Sequence, residues 1–116
     1  MFNVMSVNEL YPRWLTGQEK GQPILLIDVR SEGEYAGAHV PGSQLLPLNL
    51  LPLKCGELPK DRDIYLICHA GGRSAQAAMF LARQGFTRLT NIDGGMLAWS
   101  NCGYPCESGL SVAQAA

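Results

Sequence analysis

The stretch DIYLICHAGGRSAQAAMFLARQG, residues 63–85, decides the fold of this chain. It opens with a short apolar run, Ile64, Leu66 and Ile67 ending at Cys68, the signature of a strand buried on both faces. The run passes straight into His69-Ala70-Gly71-Gly72-Arg73-Ser74. Beyond it Ala75, Ala78, Met79 and Ala82 recur at helical spacing, and Gly85 stands where a C-terminal cap belongs. A strand running into a helix through a glycine turn argues for an α/β fold, with Cys68 at the carboxyl edge of the strand, where the crevice of a parallel sheet lies.

Working outward, Ile24 to Val29 repeats the buried-strand pattern after Gly21 and Pro23, and is read as the first strand. Leu89 to Ile92 predicts a further strand, Gly94-Gly95 a tight turn, and Met96 to Asn101 a short helix. Near the start, Ser6-Val7-Asn8-Glu9 fits a capping box ahead of a helix carrying Leu10, Trp14 and Leu15. Gly37 to Gly42 reads as a loop and Ser43 to Leu46 as a short strand, while prolines limit Leu48 to Leu53 to a turn or two of helix.

At 116 residues the chain is expected to be one domain, residues 1–107, followed by a frayed tail, residues 108–116, small and polar with little to bury. A net charge of −1 with both signs scattered gives no footprint for nucleic acid or anionic lipid. Apolar runs fall far short of the roughly 20 residues that span a bilayer, so no membrane partner is expected. The start lacks the pattern of a secretory signal, which makes the cytoplasm the default. Cys55, Cys68, Cys102 and Cys106 form neither a disulfide framework nor a matched zinc pattern, and no metal or organic cofactor is implied.

A cysteine between a strand and a helix is ordinarily a packed residue, but the turn here is equipped to hold a thiolate. Gly71 and Gly72 can take the positive φ values that aim successive amides inward, the helix N-terminus adds partial positive charge, and Arg73 adds a full one. A free thiol has a pKa of about 8.5, and a reactive one needs a drop of roughly two units, worth about 2.7 kcal/mol. The helix terminus supplies about 0.3 to 1 kcal/mol. Several loop amides must therefore point at the sulfur.

Five segments in order resemble the single-domain rhodanese sulfurtransferases, from about Val4 to Glu107. Cys68-His69-Ala70-Gly71-Gly72-Arg73-Ser74 is similar to that family's C-x-x-G-x-R loop followed by a small hydroxyl residue. Leu26-Ile27-Asp28-Val29-Arg30 resembles its D-x-R strand end, and Glu34-Tyr35 with His39-Val40-Pro41-Gly42 its E-[FY]-x-x-G-H-I-P-G-A segment. Asp93-Gly94-Gly95-Met96 with Ala98-Trp99, and then Gly103-Tyr104-Pro105, resemble its G-G-[MIW]-x-A-W and G-Y-P endings. Ala38 departs from the usual glycine, the proline-broken segment from Pro47 to Pro59 is short, and Cys106 replaces an aliphatic or threonine.

The resemblance implies a rhodanese-like fold, a small parallel β-sheet flanked by helices on both faces. It also implies sulfur transfer of the thiosulfate:cyanide type through a persulfide on Cys68. The expected partners are a small anionic donor, thiosulfate or polysulfide, and a thiophilic acceptor, cyanide or a protein thiol, with a dithiol protein among the candidates. His69, Ala70, Gly71, Gly72, Arg73 and Ser74 would form the loop that stabilises the persulfide. Arg73 would bind the donor or close onto a carboxylate, with Asp28 and Glu34 both open as its partner, and Arg30 would be architectural. His39, Trp99 and Tyr104 read as packing residues. Cys102 or Cys106 as a resolving thiol is the sharper alternative to ordinary surface thiols, and Cys55 reads as incidental.

Two other classes compete. Cysteine phosphatases use C-x5-R, whereas Cys68 to Arg73 is C-x4-R; a residue contributes up to about 3.3 to 3.6 Å of contour, so the shorter loop forms a ring suited to one sulfur rather than a phosphate. A non-enzymatic rhodanese-like binding or regulatory module commonly lacks the loop cysteine, which this chain keeps.

Overall fold

Strands β1 (Asn3–Ser6), β2 (Leu25–Asp28), β3 (Gln44–Leu45), β4 (Ile64–Ile67) and β5 (Leu89–Asp93) form one parallel sheet in the order β1-β5-β4-β2-β3. The computed structural model describes residues 1–110, and the part of the expected tail from 111 to 116 lies outside them. The helices are α1 (Val7–Glu19), α2 (Glu32–Gly37), α3 (Leu51–Lys54), α4 (Gly72–Arg83) and α5 (Gly95–Asn101), with single 3-10 turns on either side of α3.

Every residue of β2 and β4 is buried, as continuous apolar runs require in a sheet covered on both faces. Alternation along the strands then divides the core. Leu25, Ile27, Ile64 and Leu66 pack with Ala77, Ala78 and Leu81 of α4 on one face. Leu26, Tyr65, Ile67 and Ile92 pack with Leu10 and Trp14 of α1 and Met96 and Trp99 of α5 on the other. The expected fold class, an α/β parallel sheet with helices on both faces, is the one observed.

The α1 start carries the expected capping box: Ser6 accepts from the Glu9 amide, and Glu9 accepts from the Ser6 amide. Three readings change. Asn3–Ser6 is a strand, so Leu25–Asp28 is the second rather than the first. Residues 31 to 36, unassigned from sequence, contain a second capping box, Ser31 with Glu34, that starts α2, a helix that takes in Gly37 from the expected loop. Met79 is exposed, because α4 already begins at Gly72 and buries the stripe Ser74, Ala77, Ala78 and Leu81.

The segment after α5 returns across α2. His39 and Glu107 exchange backbone hydrogen bonds, and the Gly109 amide donates to the Ala36 carbonyl at 2.7 Å. The chain therefore stays attached past residue 108, where fraying was expected, because the end of α2 offers carbonyls without helical donors. Among the described residues no helix is long and apolar enough to cross a membrane.

Candidate active site

Cys68 follows β4 directly and is 1% exposed. The loop after it turns at Gly71, whose φ of +116° lies in the left-handed region that favours glycine. That turn brings the Gly71 amide to 3.0 Å from the Cys68 sulfur, to which it donates. The Ser74 hydroxyl lies 3.3 Å from the same sulfur and 3.2 Å from the Gly71 carbonyl. Gly72 does not share the positive φ expected of it; it is the first residue of α4.

Burial by itself pushes the Cys68 thiol up. The Ser74 hydroxyl, followed by the amides of Ser74, Gly71 and Ala70, outweighs burial and leaves the thiol below its ordinary pKa. The hydrogen bonds that reach the sulfur are those of one amide, Gly71, and of the Ser74 hydroxyl, so a side chain stands where a further loop amide was expected.

The same donors work only if the loop carbonyls face away, and α5 arranges that. Its Met96 amide donates to the Cys68 carbonyl at 2.8 Å and its Leu97 amide to the His69 carbonyl at 2.9 Å. No side chain caps α5; the loop carbonyls take its first amides instead. Such an approach leaves no room at Gly95, where a Cβ would sit 2.6 Å from the His69 carbonyl oxygen and closer still to that of Cys68. The Gly71 carbonyl is held by the Ala75 amide at 3.1 Å and by the Asn91 side-chain amide at 3.3 Å.

The sequence marks Gly95 as a turn residue and as part of the Gly-Gly segment of the resemblance, without its contact to the cysteine loop, and Asn91 is not singled out there. The available signal for Asn91 was an amide inside an otherwise buried strand, which requires a partner. It is 6% exposed, and among the described residues its Oδ1 has no hydrogen-bond partner.

Of the two open partners for Arg73, it takes Glu34, in a two-pronged pair at 2.7 and 2.8 Å. The Arg73 guanidinium holds the Glu34 carboxyl far below the usual carboxylate range, and Glu34 in turn raises Arg73. Asp28 instead binds Arg30, with the two fully or nearly buried and joined at 2.8 Å, while the same guanidinium reaches the Ala38 carbonyl at 2.7 Å. This brace ties the end of β2 to the segment after α2.

His69 and Ala70 are exposed on the loop. His39 is buried against Tyr35, its Nδ1 2.7 Å from the Tyr35 carbonyl oxygen and its Nε2 3.2 Å from Glu107. Trp99 is buried and donates to the Pro105 carbonyl at 2.7 Å. Cys102 and Cys106 are exposed, the first against Asn8 and the second against Ser100, and Cys55 contacts the Pro52 carbonyl. Among the described residues no group of three or more His, Cys, Asp or Glu side chains could hold a metal ion.

A cleft of about 740 Å³ runs along α1 past Arg13, Lys20 and Ile24, toward the amino ends of β2 and β4. The cysteine loop is at the opposite ends of these strands, where a pocket of about 180 Å³ lined by Arg30, Ala38, His69, Met96, Leu97 and Ser100 adjoins it. Strand-end geometry, and not cleft size, locates the site.

The Rhodanese-like domain family matches residues 12–102. A sulfurtransferase of Allochromatium vinosum is 40% identical over 84 residues, 72% of this chain and 78% of that protein. Other curated relatives are longer, the match spanning 44% of one and 22% of another. Among solved structures, a rhodanese-related protein from Thermoplasma volcanium superposes with a TM-score of 0.77 at 27% identity, over 91% of this chain and 98% of that one. A thiosulfate sulfurtransferase from Pseudomonas aeruginosa gives 0.79 at 26% identity, over 94% of this chain and 20% of that one. With its parallel sheet, its cysteine loop at the strand ends and these matches in agreement, the chain belongs to the rhodanese-like domain family.

Proposed function

We propose that this chain transfers sulfane sulfur through a persulfide on Cys68. The thiolate attacks the outer sulfur of a donor such as thiosulfate and expels sulfite; a nucleophilic acceptor, cyanide or a protein thiol, then removes the sulfur and regenerates the thiolate. One observation carries the reading: a buried sulfur receives the Gly71 amide and the Ser74 hydroxyl at the start of a helix, an arrangement that favours an anionic sulfur over a neutral one. Gly71 and Ser74 hold the charge with support from the Ala70 amide, Gly72 opens α4, His69 forms the outer wall, and Arg73 latches the loop to Glu34. Asp28 and Arg30 brace the floor beneath. The relative named a sulfurtransferase supports the same chemistry.

The test is intact mass of the reduced protein after incubation with thiosulfate or a polysulfide, alongside Cys68→Ala, followed by cyanide and detection of thiocyanate. The expected result is a gain of one sulfur that requires Cys68 and disappears with cyanide. Absence of any gain from both donors would return the weight to a binding module.

A further inference from the structure

We propose that the cleft of about 740 Å³ along α1 is a second binding site, for a small organic dianion whose two charged ends are joined by an apolar chain. The site is independent of the persulfide reading: it lies at the amino ends of β2 and β4, and Cys68 follows the carboxyl end of β4.

One stripe of α1 forms the floor of the cleft. Arg13 and Lys20 are seven residues apart, two turns of helix, so they stand on the same face about 10 Å apart along its axis, with Thr16 between them. The facing wall is made by Gln22, Ile24 and Tyr65. It closes on the helix at Gly17, whose carbonyl accepts from the Gln22 amide at 2.9 Å and where a Cβ would stand 2.8 Å from the Gln22 carbonyl oxygen. The charges facing this space are unbalanced. Among the described residues neither the Arg13 nor the Lys20 side chain has a hydrogen bond or an ion pair. Glu9, the carboxylate on the same stripe, accepts from the Ser6 amide and hydroxyl at the start of α1. In an adjoining cleft of about 230 Å³, which shares Gln22, Ile24 and Tyr65, Asp63 is paired with Arg88, and Arg62 reaches only the Pro23 carbonyl. Positive charge is therefore left over on this side of a chain whose net charge is −1, and such a local excess draws the opposite sign.

Tyr65 is a separate observation that points to a ligand. Its neighbours along β4 are Ile64, Leu66 and Ile67, it is only 5% exposed, and its hydroxyl has no hydrogen-bond partner among the described residues. A buried tyrosine hydroxyl ordinarily has a partner. Tyr65 lines both clefts, so an anionic oxygen bound there can accept from it. Pro12 and Ile24 offer apolar surface to the chain between the charged ends. The volume falls inside the roughly 300 to 1,000 Å³ of small-molecule sites. A dianion spanning Arg13 and Lys20 satisfies both cations at once, which a single anion cannot do across two turns of helix.

The experiment titrates the full isotope-labelled chain at constant ionic strength and follows its backbone amide NMR signals. Three acids are compared: octanedioate, whose extended chain matches the Arg13 to Lys20 separation, succinate, too short to reach both cations, and octanoate, with one charge. Octanedioate is expected to move the signals of residues 12–24 and of Tyr65 saturably and to leave those of residues 69–73 in place. Succinate and octanoate are expected to bind about fivefold more weakly, the upper scale of one exposed ion pair. Arg13→Gln and Lys20→Gln should each lose about the same factor for octanedioate while unfolding in urea as the wild type does, since both side chains are exposed. Tyr65→Phe, which removes the hydroxyl alone, should weaken binding as well. Shifts that do not saturate, equal affinity for the three acids, or wild-type affinity in both glutamine variants would overturn the proposal. Shifts centred on residues 69–73 would do the same by sending the anion to the cysteine loop. The α1 shifts appearing with protein concentration alone would overturn it by giving the face to a second copy of the chain.

Discussion

The Gly71 amide faces the Cys68 sulfur across 3.0 Å while the carbonyl of the same residue faces outward to Ser74, Ala75 and Asn91. One left-handed residue thus separates donor from acceptor at the sulfur. The Cys68 thiol is expected to alkylate with a pH midpoint below the roughly 8.5 of an unfolded cysteine, and Ser74→Ala to raise that midpoint by about one unit. The iodoacetamide rate at the Cys68 peptide, followed by mass spectrometry, reads both. Because the folded thiol ionises below the unfolded one, wild type should gain stability over Cys68→Ser as pH rises from the folded value toward 8.5 or so, and lose that gain as pH falls through the folded value. A wild-type midpoint at or above the unfolded value contradicts the account.

Gly95→Ala should be among the most damaging single changes in the chain. Its Cβ would press into the carbonyls of Cys68 and His69, and its φ of +54° is strained for alanine by about 1 to 2 kcal/mol. We expect a loss of more than about 2 kcal/mol in urea unfolding, accompanied by loss of the depressed Cys68 midpoint. Retention of both would mean that α5 does not set the loop.

The Asp28 to Arg30 pair is buried on both sides, so removing one partner strands a charge. Arg30→Ala should cost about 3 to 5 kcal/mol, and replacing both residues with apolar ones of similar size should cost less than that single change. Chemical denaturation of the wild type and the two variants orders them. A double replacement worse than Arg30→Ala would show that the Asp28 carboxylate's bond from the Arg30 backbone amide, and not the ion pair, is what holds this corner.

Asn91→Leu removes a donor to the Gly71 carbonyl and, with it, a buried oxygen that has no partner among the described residues. Losing both together should change stability by less than about 1 kcal/mol. The thiol midpoint should still rise, since the turn at Gly71 loses one of its anchors. Stability unchanged together with an unchanged midpoint would place Asn91 outside the active-site framework.

The parts of the fold readable in the sequence were those whose residues leave one solution. Continuous apolar runs gave β2 and β4, and Cys68 fell at a strand end because the run stops there. Strand β1 escaped because it is an edge strand, with Val4 62% exposed and no apolar pattern to find. Helix α2 carries the same capping box as α1, but Gly33 and Gly37 leave it six residues with one buried side chain, Tyr35, and so no periodicity. At the site, the loop and Arg73 were legible as chemistry. The choice of Glu34 over Asp28 was not, because it depends on Arg30 claiming Asp28 first across a turn of two residues. The outward pull on the carbonyls was hidden for a different reason: it is made by backbone amides of Met96 and Leu97, which no side-chain pattern records.

The sheet order puts the first strand beside the last, with Asn3 opposite Thr90 and Ser6 opposite Asp93. During synthesis residues 3–6 therefore have no neighbour until β5 has left the ribosome, and the loop around Cys68 lacks its α5 backing until later still. Contacts so distant along the chain form late and slow the search for the native state. The thiol is consequently made before the surroundings that tune it, and a nascent chain would carry an ordinary cysteine until α5 arrives.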